Sequence, residues 1–135
     1  MSERVGEAAH RTPDGSGGGG LRLSCCVIAC NEERGIRRCL ESVSFADECV
    51  VVIDSRSSDA TEAIARELGA RVIEHPYQGN IEQKNFALTQ AKGEWILSLD
   101  ADEAITEPLA SEIRSLLAAP PSDLNGCEIN RVTYH

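Results

Sequence analysis

Three acids, Asp100, Asp102 and Glu103, follow directly on the apolar run Trp95, Ile96, Leu97, Ser98, Leu99. That run is too short to span a membrane and lacks helical periodicity, so it reads as a buried strand. In an open α/β sheet the carboxyl ends of the strands form the edge where ligands bind. Two aspartates one residue apart, Asp100 and Asp102, can share a hard divalent cation there. Mg²⁺ and Mn²⁺ prefer carboxylate oxygen, and Mg²⁺ is often held by one or two carboxylates together with substrate phosphates. The plainer alternative is an acidic turn that caps the next helix, with Asp102 or Thr106 as its N-cap.

The elements that must position these acids alternate regularly. Apolar runs predict strands over residues 21–29, 49–53, 70–74 and 95–99. A helix capped by Asn31 is expected to turn Ile36, Cys39, Leu40 and Val43 inward, at the spacing of one helix face. A second, over about 60–68, buries Ile64, Ala65 and Leu68, with Ser58 or Asp59 as N-cap and Gly69 closing it. A third, over 80–91, places Ile81, Phe86 and Leu88 inward. A fourth runs from Pro108 to about residue 118, with Leu109, Ile113, Leu116 and Leu117 on one face. A further strand starts within 126–134. This β-α alternation predicts an α/β fold with a mostly parallel sheet and helices on both faces. Residues 1–20 end in a Gly/Ser-rich run and read as a leader without structure, leaving 21–135 as the domain. The glycine run is not a phosphate loop, because no strand precedes it and no Lys-Ser or Lys-Thr follows.

Composition narrows the function. Of the 135 residues 41% are hydrophobic but only 4% aromatic, so the core must be aliphatic. A formal net charge of −9 argues against nucleic-acid binding and against direct attraction to anionic lipid. It leaves room for an anionic ligand, since a bound metal inverts the local field. The cysteines, Cys25, Cys26, Cys30, Cys39, Cys49 and Cys127, fall mostly in apolar runs without a C-x-x-C pair. They read as small buried hydrophobes in a reducing compartment. No secretory h-region and no apolar run of about 20 residues is present, and a cytoplasmic protein is expected.

Three of the predicted strands end in polar, acid-bearing loops: Asn31 and Glu32, then residues 54–59, then 100–103. In a parallel sheet those ends share one edge, and neighbouring strands lie only about 5 Å apart. Acids gathered in this way repel one another unless a cation or hydrogen-bond donors intervene. Lys84, on the helix before the fourth strand, either faces this edge, where its charge suits a diphosphate, or is an ordinary solvated lysine.

The four segments 27–33, 54–61, 83–88 and 95–103, in that order and spacing, resemble the signatures of family 2 glycosyltransferases, and among these the lipopolysaccharide core β-glucosyltransferases. The resemblance covers roughly residues 23–118. It implies a GT-A fold whose Rossmann-like half binds a nucleotide-sugar. It implies an inverting transfer, with UDP-glucose as the expected donor and a cell-envelope glycan or lipid-linked acceptor. It further implies that Asp102 binds Mg²⁺ or Mn²⁺, that Asp100 faces the ribose or sugar, and that Asp54 hydrogen-bonds the uracil ring. Ala29 and Asn31 would line the nucleoside, with Glu32 in the same loop, and Lys84 would lie near the base or phosphates. No motif supplies the catalytic base or the acceptor half, which makes the chain read as truncated before that half. The alternative is a truncated or degenerate non-catalytic nucleotide-sugar-binding module. A nucleotidyltransferase is disfavoured, because its glycine-rich basic loop has no counterpart at Cys30, Asn31, Glu32 and Glu33. Peripheral contact with the inner membrane face through the acceptor, and self-association through an uncovered sheet edge, are further expectations. Arg56 stands where the family usually has glycine. The expectation is a strained turn, costing about 1 kcal/mol if φ is positive; the alternative is a side chain projecting into the cleft.

Overall fold

Continuously apolar segments pair into the centre of a sheet because both of their faces must be covered. The computed structural model describes residues 8–11, 22–118 and 126–128. The elements are β1 (Ala8–Arg11), β2 (Leu23–Ala29), α1 (Ile36–Ser42), β3 (Glu48–Asp54), α2 (Thr61–Glu67), β4 (Arg71–His75), α3 (Asn80–Gln90), β5 (Trp95–Asp100), α4 (Glu107–Ala118) and β6 (Gly126–Glu128). The sheet order is β4-β3-β2-β5-β1-β6. β4, β3, β2 and β5 run parallel, as the alternation predicts. β1 pairs antiparallel with β5 on one side and with β6 on the other.

That pairing corrects one expectation. Ala8–Arg11, read as part of a structureless leader, is a strand against Trp95–Ser98. Its sequence carries no strong apolar alternation. What holds it is the otherwise open edge of β5, whose backbone groups need partners. The last expected strand is present as Gly126–Glu128; residues 129–134 lie outside the described residues.

Helices cover both faces. On one, Ile36, Cys39 and Leu40 of α1, Ala65 of α2, and Ala110, Ile113 and Leu117 of α4 pack on Val27, Val51, Leu97 and Leu99. On the other, among the described residues, α3 lays Ala87, with Phe86 and Leu88, on Cys26, Val50, Val52 and Ile96. Trp95, fully buried, begins β5. Gly93 just before it is required by packing, because a Cβ there would lie 2.7 Å from the backbone nitrogen of Ser24. Gly69 closes α2 at φ 89, the left-handed conformation glycine adopts freely. Cys25, Cys26, Cys30, Cys39 and Cys49 are free thiols. No helix among the described residues is long and apolar enough to cross a membrane.

Three helices differ in detail from expectation. Ile81 is 73% exposed rather than inward. The buried stripe of α3 is instead Gln83 and Ala87, one turn apart. α1 begins at Ile36 with Gly35 as its cap, so Asn31 is not the N-cap. Neither is Ser58 or Asp59 the cap residue of α2, which is Ala60. Asp59 nonetheless accepts the Thr61 N–H at 2.9 Å, so it supports that helix start from one residue further out.

Candidate functional site

The parallel register sets Ala29 beside Ile53 and Ile28 beside Asp100. The loops leaving β2, β3 and β5 therefore start side by side on one sheet edge. They bound a cleft of about 370 Å³ lined by Ala29, Cys30, Glu32, Asp54, Asp100 and Asp102, and also by Ile28, Arg56, Tyr77, Asn80, Gln83 and Ala101. Five of the residues singled out from sequence, Ala29, Glu32, Asp54, Asp100 and Asp102, thus meet in one place. Asn31 and Lys84 are not in the lining.

Asn31 serves the site from behind. It adopts φ 51, a conformation asparagine tolerates better than most residues. Its side-chain oxygen accepts the N–H groups of Ser58 (2.8 Å) and Asp59 (3.3 Å), and its own N–H donates to the Ser57 hydroxyl at 2.9 Å. The neighbouring N–H of Glu32 donates to the Thr61 hydroxyl at 2.8 Å, and that of Glu33 to Asp59 at 3.1 Å. The Thr61 hydroxyl in turn donates to Asp59. The loops after β2 and β3 are thereby laced into one unit. These donors, the Thr61 hydroxyl first among them, hold the Asp59 carboxyl below the usual carboxylate range.

The loop after β5 is built differently. Glu103 is buried, and its carboxylate accepts the Asp100 N–H at 2.7 Å while its own N–H donates to the Asp100 carbonyl at 2.9 Å. Glu103 therefore ties the turn together from inside. Asp102 is exposed at the mouth of the cleft. It does not cap α4; the Thr106 hydroxyl does so, accepting the Leu109 N–H at 3.4 Å. Lys84 brings its ammonium 3.8 Å from Asp100, so it faces this edge rather than bulk solvent.

Glu32 records the crowding of acids. Its carboxyl is pushed above the ordinary range by burial and then by Asp102, Asp59 and Asp100. A divalent cation would relieve that repulsion. Among the described residues no group of three or more His, Cys, Asp or Glu converges into a ready metal cage. An ion of the Mg²⁺ type does not require one, because it completes its shell with water and phosphate oxygen. The hard-oxygen donors Asp102 and Asp100 fit such an ion.

Arg56 has no positive φ, so the expected backbone strain is absent. Its side chain projects to the cleft and engages Asp54, with Nη2 2.6 Å from Oδ2 and Nε 3.2 Å from Oδ1. Tyr77 lies beneath the guanidinium, 5.0 Å from its ring centroid. Sequence reasoning missed Tyr77 and Gln83. The Gln83 amide and the His75 ring share a hydrogen bond of 2.9 Å, and His75 stacks on Phe86. A polar residue on the buried stripe of α3 was the available signal for Gln83. For Tyr77, in a loop, there was none.

The model of Glycosyl transferase family 2 matches residues 24–134. A Rickettsia bellii protein described as an uncharacterized glycosyltransferase is 43% identical over 103 residues, 76% of this chain and 35% of that protein. The lipopolysaccharide core biosynthesis glycosyltransferase LpsC of Rhizobium meliloti is 34% identical over 119 residues, 84% of this chain and 43% of its own. Among solved structures, glucosyl-3-phosphoglycerate synthase from Mycobacterium tuberculosis, in complex with Mn²⁺, UDP and phosphoglyceric acid, superposes with a TM-score of 0.61 at 26% identity, covering 79% of this chain and 42% of that one. The chain spans well under half the length of the curated relatives it matches.

Proposed function

The chain belongs to glycosyl transferase family 2, and we propose that it is the donor-binding portion of an inverting enzyme. In this reading the enzyme transfers a sugar from a nucleotide-sugar, UDP-glucose first, to a cell-envelope glycan such as lipopolysaccharide core. The observation that carries the reading is the meeting of Glu32, Asp54, Asp100 and Asp102, from three strand ends, in one cleft beside Ala29. The Rhizobium relative, named for lipopolysaccharide core biosynthesis, and the mycobacterial neighbour, solved with Mn²⁺ and UDP, support it.

The roles follow from chemistry and position. Asp54, at the end of β3, accepts a hydrogen bond from the base. Ala29, small and at the end of β2, leaves room for the nucleoside, while Asn31 holds the surrounding loops. Asp100 faces the ribose or sugar, with Lys84 offsetting its charge. Asp102, exposed, holds Mg²⁺ or Mn²⁺ with Asp100 beside it, and Glu32 lines the same wall. When bound, that ion supplies Lewis-acid stabilisation of the leaving diphosphate. Attack by the acceptor hydroxyl requires a carboxylate base, and no described residue is assigned that part. A cytoplasmic enzyme that meets the membrane face through its acceptor fits this chemistry.

The test is calorimetric titration of UDP and UDP-glucose into the chain with and without Mn²⁺. Metal-dependent binding that Asp102→Ala weakens about a hundredfold is the expected result. Metal-independent binding that Asp102→Ala leaves unchanged overturns the assignment. A second reading, a non-catalytic nucleotide-binding module, is favoured by one observation, the engagement of the Asp54 carboxylate by Arg56. Hydrolysis of, or transfer from, UDP-glucose by this chain excludes it.

A further inference from the structure

We propose that Arg56 is a displaceable occupant of the nucleobase subsite, holding the place of a base at Asp54 and Tyr77, and that it thereby sets the nucleotide affinity of the cleft. The inference rests on the donor-binding reading above.

The Asp54 carboxylate has about four acceptor positions. Its Oδ1 accepts the Arg56 backbone N–H at 2.9 Å and Nε at 3.2 Å. Its Oδ2 accepts Nε at 3.1 Å and Nη2 at 2.6 Å. One residue therefore engages both oxygens of the group assigned to read the base. Burial points the same way: Asp54 is 2% exposed, whereas the Arg56 side chain above it is 70% exposed. The arginine presses the carboxylate's ligand on from the open side of the cleft, where a base must enter.

The guanidinium is also a flat, delocalised plate. It meets Asp54 edge-on through N–H donors and lies 5.0 Å from the Tyr77 ring centroid. A nucleobase at such a site makes the same two contacts, with a ring N–H to the carboxylate and a stacked aromatic face. Arginine and base cannot both use them. The lock opens by exchange: a base that donates to Asp54 replaces the guanidinium, and the arginine side chain, already 70% exposed, returns to water. The same contact keeps the Asp54 carboxyl below the ordinary carboxylate range, its hydrogen bond to Arg56 being the leading cause.

The competing account makes Arg56 a direct cationic contact to the diphosphate. The two accounts predict opposite signs for its removal. Loss of a cation near a diphosphate weakens binding by simple electrostatics, whereas loss of an internal competitor strengthens it. The experiment is titration of UDP with Mn²⁺ into the 135-residue chain and its Arg56→Ala and Arg56→Lys variants, with thermal melts to establish that each is folded. Arg56→Ala is expected to bind UDP about tenfold more tightly. Arg56→Lys, which keeps the charge but loses the plate, should lie between. Tight binding by Arg56→Ala alone is the strongest support. Equal or weaker binding by a folded Arg56→Ala overturns the inference and leaves the donor-binding reading standing, since UDP still binds. No binding to any of the three chains overturns both.

Discussion

The loop after β3 and the loop after β5 both leave a strand with an aspartate and carry another acid a few residues on, yet they treat their carboxylates in opposite ways. After β3 each acid is engaged locally. Asp54 is held by Arg56, and Asp59 by Thr61 and Glu33. After β5 the third acid, Glu103, folds inward to fasten the turn, and Asp102 is left exposed at the cleft. A carboxylate already surrounded by N–H and O–H donors gains little from a metal, whereas one among other acids and water gains much. The same residue type, in loops of similar composition, is thus enclosed by donors in one place and left open to solvent in the other.

Separating Asp102 from Glu103 tests this difference most severely. Asp102→Ala should weaken Mn²⁺-dependent UDP binding about a hundredfold while leaving the melting temperature nearly unchanged. Glu103→Ala should do the reverse first, removing about 2 kcal/mol of stability by taking away the buried acceptor of the Asp100 N–H. Chemical denaturation beside calorimetry reads both. If Asp102→Ala unfolds the chain, or Glu103→Ala leaves its stability intact, the division of labour is wrong.

Within the engaged loop, Asn31→Ala should cost about 1–2 kcal/mol, because alanine in a left-handed conformation is disfavoured and two N–H groups lose their acceptor. Urea denaturation measures it. The pH dependence should be smaller. Asp54 and Asp59 are both depressed in the folded chain. Their contribution is therefore complete above the unfolded value of about 4 and disappears as pH falls through their lower folded values. Arg56→Ala should flatten that slope, since its hydrogen bond is the leading cause for Asp54. A denaturation series across acidic pH would show it, and an unchanged slope would count against the pairing. The smallest effect is expected outside both loops. Ile81→Ser, at an exposed position on α3, should change stability by no more than about 0.5 kcal/mol.

The comparison also explains which features were legible in advance. β-α alternation and continuous apolar runs carried the parallel sheet, and the i, i+3, i+4, i+7 spacing carried the inward face of α1, because both depend on local periodicity. The pairing of Ala8–Arg11 with β5 was not legible, since that segment is held by the edge it meets rather than by its own pattern. Ile81 misled because an apolar side chain was taken as a buried one, while the true buried stripe of α3 included a glutamine whose partner, His75, lies in another element. Asn31 resembled a helix cap in sequence. Only the position of the next loop showed that its acceptor serves Ser58 and Asp59 instead.

By itself the sequence determined the order of strands and helices, the aliphatic core, and the placing of acids at the ends of three strands, because hydrophobic period and turn chemistry act over a few residues. Tertiary structure decided which of those acids is available. Whether a carboxylate meets an N–H, a guanidinium or open water depends on neighbours from 2 to 26 positions away, and the more distant of them are brought in by the register of the sheet. That is why Asp102 and Glu103, adjacent and chemically alike, end on opposite sides of the same turn.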